Sequence, residues 1–259
     1  MIVDIHSHIL WGLDDGAQQP EDTLDMARAA VADGITHIVA TPHHKDGKYH
    51  NPAASIRERV AEANVLLAEH QIPLTVLPGM ELHLYGEVIE DFHAAEQTIL
   101  TLNDAQQFIL LELPHDHVPC YTQQLLFDIQ VEGYVPIIAH PERNREIREH
   151  PNTLYRMIEK GALSQLTAAS VAGQFSADLQ KISLDLVKHN LVHFIACDAH
   201  NITRRGFALQ AAYNWVEKNL GVSYVQSYQE NARKIVSGHE IYVPEPKRVE
   251  KRKKFLGLF

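Results

Sequence analysis

Histidine, aspartate and glutamate recur in this chain at one kind of place, just past the end of a short apolar run. The first case is Asp4-Ile5-His6-Ser7-His8. Residues two apart on a strand face the same way, so His6 and His8 present their imidazoles together with a carboxylate nearby. His43, Glu81, Glu112, His140, Asp198 and His200 follow later runs in the same manner. Neutral imidazoles beside carboxylates suit Mn²⁺, Zn²⁺ or Fe, and the residue types do not choose between them. Cys197 should turn away if Asp198 turns in, given strand alternation. So many donors exceed what one ion can use. Shared carboxylates can hold ions about 3.5–4 Å apart, the spacing that stabilises both attacking and leaving oxygens of an in-line displacement.

The elements that must position these groups are legible in the pattern. Seven apolar, β-branched runs begin at Ile2, His37, Leu74, Phe108, Val135, Leu163 and His193, and longer helix-patterned segments separate them. That alternation predicts βα units around a parallel sheet. Pro20 suits the first position of a helix that carries Leu24, Ala27 and Val31 inward and stops at Gly34. Asn51-Pro52 opens a second, striped by Ile56, Val60, Ala63 and Leu67. Further helices are expected over residues 88–95, around Leu125, Leu126 and Ile129, from a cap at Ser176, and over 207–219 and 223–236. In a parallel barrel all strands point one way. The polar ends of six of the seven runs then converge on one mouth, where barrel sites are built.

Composition narrows the class. A length of 259 residues suits one α/β barrel, and the two cysteines make no disulfide framework, so a reducing cytoplasm is the expected location. The start of the chain carries no basic leader and no apolar run long enough for a membrane helix. A net charge of −10 argues against general nucleic-acid binding. The charge is uneven, because residues 247–254 hold six basic side chains and one acidic, leaving the body near −15. We therefore read residues 1–246 as a single-domain barrel and 247–259 as a basic-hydrophobic tail. Neither Cys120 nor Cys197 is followed by arginine six positions on, so no thiol-type phosphatase loop is present.

Asp4-Ile5-His6-Ser7-His8, Thr41-Pro42-His43, Glu81, Glu112, Ala139-His140-Pro141-Glu142-Arg143 and Asp198-Ala199-His200 resemble the motifs of the PHP (polymerase and histidinol phosphatase) family. Within it the chain resembles the metal-dependent protein-tyrosine phosphatases encoded with bacterial capsular and exopolysaccharide genes, from Ile2 to the tail. The resemblance implies an α/β fold, a distorted (β/α)7 TIM-like barrel, with up to three ions, usually manganese. It implies one ion on His6, His8, Glu81 and Asp198, a second on Glu81, Glu112 and His140, and a third on Asp15, His43 and His200. Asp14 adjoins Asp15 and the loop could present either. Arg143 and Arg205 match the family's phosphate-binding guanidinium positions, with Arg204 as the neighbour that blurs the second. Family variation puts histidine where this chain has Glu112. The implied substrate is a tyrosine-phosphorylated protein, a bacterial tyrosine kinase controlling polysaccharide synthesis.

The chemistry agrees, since a phenolate of pKa near 10 leaves easily beside an alkoxide, which makes a strong general acid less necessary. Three rivals stand beside this reading. A small-molecule phosphatase of the histidinol phosphatase kind would differ only at the mouth. An amidohydrolase would often show a lysine on strand four, where Glu112 stands. A non-catalytic kinase-binding scaffold would be expected to lack ligands. The tail, basic and then apolar, invites weak contact with an anionic membrane surface; the sequence leaves the oligomeric state open.

Overall fold

Our computed structural model describes residues 1–94 and 98–250. Nine strands follow in chain order among them: β1 Val3–Ser7, β2 His37–Ala40, β3 His43–His44, β4 Thr75–Pro78, β5 Glu81–His83, β6 Phe108–Glu112, β7 Val135–Ala139, β8 Leu163–Thr167 and β9 Phe194–Ala196. The helices between and after them are α1 Pro20–Ala32, α2 Ala53–Glu69, α3 Val88–Phe92, α4 Thr122–Val131, α5 Arg145–Glu149, α6 Asn152–Ile158, α7 Ala168–Val171, α8 Ala177–Lys188, α9 Leu209–Leu220 and α10 Val222–Ser237. The helix expected over residues 88–95 ends at Phe92, and Ala95 lies outside the described residues.

All pairings are parallel, in a three-stranded sheet β1-β2-β4 and a six-stranded sheet β3-β5-β6-β7-β8-β9. Seven expected strands become nine because the second and third are each cut in two. Pro42, between β2 and β3, has no N–H for the ladder. Gly79, between β4 and β5, passes so close to the second strand that an added Cβ would lie 2.5 Å from Val39 Cγ1. The ring closes where Ser7 pairs with Ala199, with His8 N–H bonding Ala199 O and Asp198 N–H bonding His6 O, both at 2.8 Å.

Among the described residues the buried apolar side chains form two clusters. The larger packs outward strand residues such as Ile38, Val76, Ile109, Ile138 and Ile195 against Leu24, Ile56, Leu67, Leu125 and Leu209 of the helices. The smaller fills the barrel with Val3, Ile5, Phe108, Leu110, Leu163 and Phe194, and Ala232 and Ile235 of α10 join it. Asn231 on α10 donates to His193 O, just before β9, so this helix closes the end where the strands begin. Among the described residues no helix is long and apolar enough to cross a membrane. After α10 the chain runs along the outer helices, where Lys247 N–H bonds His189 O and Val249 exchanges two bonds with Asn152.

Candidate metal centre

The mouth opposite α10 is built where regular strand geometry breaks. Val3 and Ile5 face inward, so alternation alone would turn His6 out. The register with β2 shifts between Asp4 and Ser7, and this irregularity aims His6 back inside. Asp4, two residues before, is left pointing elsewhere and accepts from Cys197 N–H (2.9 Å) and His6 N–H (3.3 Å). His140 and Asp198 sit at φ +33° and +52°, a left-handed conformation that histidine and aspartate tolerate better than most residues. Such positions cost about 1–3 kcal/mol each and cluster at functional sites. Cys197 packs in the outer cluster, as alternation requires.

Eight of the nine sequence-predicted donors lie within one network around Glu81 and Asp198. Glu81 Oε2 is 3.2 Å from His6 Nε2, 3.4 Å from His8 Nε2 and 3.0 Å from His43 Nδ1, and Oε1 is 2.9 Å from His140 Nε2. Asp198 Oδ1 is 3.5 Å from His6, 3.3 Å from His8 and 3.4 Å from His200. Glu112 lies 3.8 Å from both His43 and His140. The ninth donor, Asp15, is the most exposed and joins through His200 Nε2 at 3.3 Å and His43 Nε2 at 3.6 Å. Three clusters could each hold an ion: His8, Asp15, His43 and His200; His6, His8 and Glu81; and His43, Glu81 and Glu112.

Buried atoms test whether a cation fits. Glu81 Oε2, His43 Nδ1 and His200 Nε2 have no hydrogen-bond partner of good geometry among the described residues, although they face other donors at short range. Buried polar atoms are normally satisfied. Lone pairs converging from imidazoles and carboxylates are what a divalent cation satisfies, so the donor set fits a metal. Burial pushes Glu81 up, but His6, His43 and the bond from His140 hold it well below the usual carboxylate range. Burial pulls His43 down, yet the Glu81 carboxylate raises it to about 9. For His200, burial and the neighbouring His8 win and lower it to about 4.

Asp14 and Asp15 divide the work that the sequence left open between them. Asp14 Oδ2 accepts from His8 Nδ1 at 2.6 Å and His43 N–H at 3.0 Å, so it orients His8 while Asp15 faces the mouth. Gln165 Oε1 does the same for His6 Nδ1 at 3.0 Å, and His83 Nδ1 lies 3.4 Å from Glu112 Oε2. Sequence reading passed over both. Gln165 was signalled as a polar residue inside an apolar run, and His83 by its place two residues after Glu81 on the same strand.

Arg143 pairs with Asp198, and Arg205 bonds both Asp198 oxygens at 2.9 and 3.0 Å. Arg204 is exposed and turned to Asn201 through its backbone. Both arginines line a cavity of about 300 Å³ at the mouth, together with Asp15, His43, Tyr49, Glu112, Leu113 and His115. His44 is buried with Nδ1 accepting from Asn51 N–H, and His117 pairs with Asp116 on the surface. Phe207 packs against the outer core.

A closed parallel barrel with clustered His and carboxylate donors at its strand ends defines the class of metal-dependent hydrolase barrels. The chain matches the capsular polysaccharide synthesis CpsB/CapC family over residues 2–237, and it belongs to that family. It is 48% identical to the tyrosine-protein phosphatase YwqE of Bacillus subtilis, covering all of both chains. To the putative tyrosine-protein phosphatase CapC of Staphylococcus aureus it is 36% identical, covering 99% of this chain and 100% of that one. A crystal structure from work on YwqE and on CpsB of Streptococcus pneumoniae, described as metal-dependent tyrosine phosphatases, superposes with a TM-score of 0.93. It covers 96% of this chain and 100% of its own, at 48% identity.

Proposed function

We propose that the chain is a metal-dependent tyrosine-protein phosphatase whose substrate is the tyrosine-phosphorylated kinase controlling polysaccharide synthesis. One observation carries the reading: three donor clusters, each pair sharing one of His8, His43 and Glu81, meet two guanidinium groups at one mouth. His6, His8, Glu81 and Asp198 would hold one ion, Glu81, Glu112 and His140 a second, and Asp15, His43 and His200 a third. An all-nitrogen and oxygen set favours Mn²⁺ over a thiolate-loving metal. Bound ions supply positive charge for a dianionic phosphoryl group and lower the pKa of water.

The chain's own groups do the rest. Asp14 and Gln165 fix the tautomers of His8 and His6, so their Nε2 atoms face the centre. A guanidinium carries five N–H donors, so pairing with Asp198 leaves Arg143 and Arg205 able to take paired phosphoryl oxygens. Metal-stripped and Mn²⁺-restored protein should be assayed on a phosphotyrosine peptide, histidinol phosphate and an N-acyl amino acid. Peptide hydrolysis that chelation abolishes and Mn²⁺ restores is expected. Preference for histidinol phosphate would overturn the tyrosine reading, and full turnover by stripped protein would overturn the metal.

The tail would bring a basic cluster to an anionic membrane, each charge contributing on the order of 1 kcal/mol. Residues 251–259 lie outside the described residues. Deleting the whole tail after Pro246 should weaken retention on anionic vesicles while soluble peptide is still hydrolysed. Equal retention would count against the contact.

A further inference from the structure

We infer that Tyr49 is the specificity-determining residue for aryl over alkyl phosphate esters. The inference rests on the phosphatase reading and adds what distinguishes the leaving group. With the phosphoryl group at Arg143 and Arg205, its ester substituent must leave through the cavity that Tyr49, Leu113 and His115 line. The Tyr49 ring is half-buried there, 6.3 Å between centroids from His43 and 10° from parallel with it. The exposed Lys48 ammonium lies 4.4 Å from the centroid and donates to the Tyr49 hydroxyl, so it sits at the hydroxyl end of the ring, where an arriving group can displace it.

The loop that carries Tyr49 is fixed rather than loose. Asp46 Oδ1 accepts from the N–H groups of Lys48 (2.8 Å) and Tyr49 (2.6 Å), and Lys45 N–H bonds Tyr49 O at 2.9 Å. Asn51 donates to His43 O and Leu13 O, and the Lys45 ammonium pairs with Asp91 on α3. A ring held in place before binding loses little entropy on contact. Offset or edge contacts between aromatic rings stabilise beyond what burial of their area gives. A serine ester offers no ring to make them.

The test is calorimetric titration of the Mn²⁺-loaded full chain with phenylphosphonate and methylphosphonate, with metal content measured in each variant. The parent should bind the phenyl compound about tenfold more tightly, a difference of about 1.4 kcal/mol. Tyr49→Ala, and Tyr49→Leu as a bulky variant without a ring, should bring the two affinities together at unchanged metal content. Tyr49→Phe should keep the preference. A parent with no preference, a ringless variant that keeps it, or a fall in both affinities together overturns the inference. A parent that shows the preference but does not hydrolyse phosphotyrosine peptide sinks the phosphatase reading instead.

Discussion

The two ends of the barrel are made from the same strands and obey opposite rules. At the closed end Val3, Ile5, Phe108 and Phe194 alternate regularly inward and meet α10 in an apolar plug. At the mouth the alternation is broken by the shift in β1 and by the left-handed residues His140 and Asp198. Burial at one end stabilises; burial at the other gathers charges that need compensation. The pKa values state the same contrast. His193, beside the plug, is pushed down to about 4 by burial alone, while carboxylates raise His43 to about 9. The closed end provides the rigidity, and the mouth uses it to hold donors that would otherwise repel or rotate.

Variants at each end should separate these roles, and the mouth should give the largest effect. His140→Ala removes a donor 2.9 Å from Glu81 and should lower metal occupancy, with phosphotyrosine turnover falling by about three orders of magnitude, or about 4 kcal/mol. Metal analysis alongside the assay checks it, and full occupancy would remove His140 from the ligand set. Phe194→Ala should do the reverse. It opens a cavity at a fully buried position and should cost about 3–5 kcal/mol in urea unfolding, with metal stoichiometry kept in the folded fraction. Lost stoichiometry there would show that the two ends are not separable.

The acid response sharpens the contrast. Unfolded His193 titrates near 6.5 and the folded residue near 4, so below 6.5 the unfolded chain binds the extra proton. Its stabilisation is therefore present above 6.5 and lost as pH falls toward 4, by up to about 3 kcal/mol. His43 in metal-free protein has the opposite sign, contributing fully below 6.5 and losing its contribution as pH rises through about 9. His193→Asn, which keeps an acceptor for Ser164 N–H, should flatten the acid limb of the stability curve. An acid limb as steep as the parent's would mean that other groups set it.

How much of this was legible follows the physics of period and contact. Helices with a clear stripe, such as α2 with Ile56, Val60, Ala63 and Leu67, were placed within a residue or two, and Ser176 caps α8 through Leu179 N–H. The short α5, α6 and α7 span seven residues or fewer, too few turns for a stripe, and went unread. At the site, strand ends marked the donors because each polar residue interrupts an apolar run. The local devices did not show. The shift that separates Asp4 from His6, the turn at His140 and the choice of Asp14 for His8 depend on neighbours distant in sequence. Gln165 reaches His6 from 159 residues away, a pairing that no local pattern encodes.

The smallest expected effect separates two roles that the guanidinium groups at the mouth could play. Arg143 and Arg205 both contact Asp198, so each could act on the phosphoryl group or only hold that carboxylate. Burial pushes Asp198 up, and His6, His8 and the two guanidinium groups bring it well below the usual range. If the arginines clamp phosphate, Arg143→Ala or Arg205→Ala should lower phosphotyrosine turnover more than tenfold, about 1.4 kcal/mol, at unchanged metal content. Lysine should rescue little, because a point charge lacks the fork that matches paired oxygens. If they only hold Asp198, metal content should fall with activity, and lysine, which keeps the charge, should restore both. Parental turnover in both alanine variants would leave neither role standing.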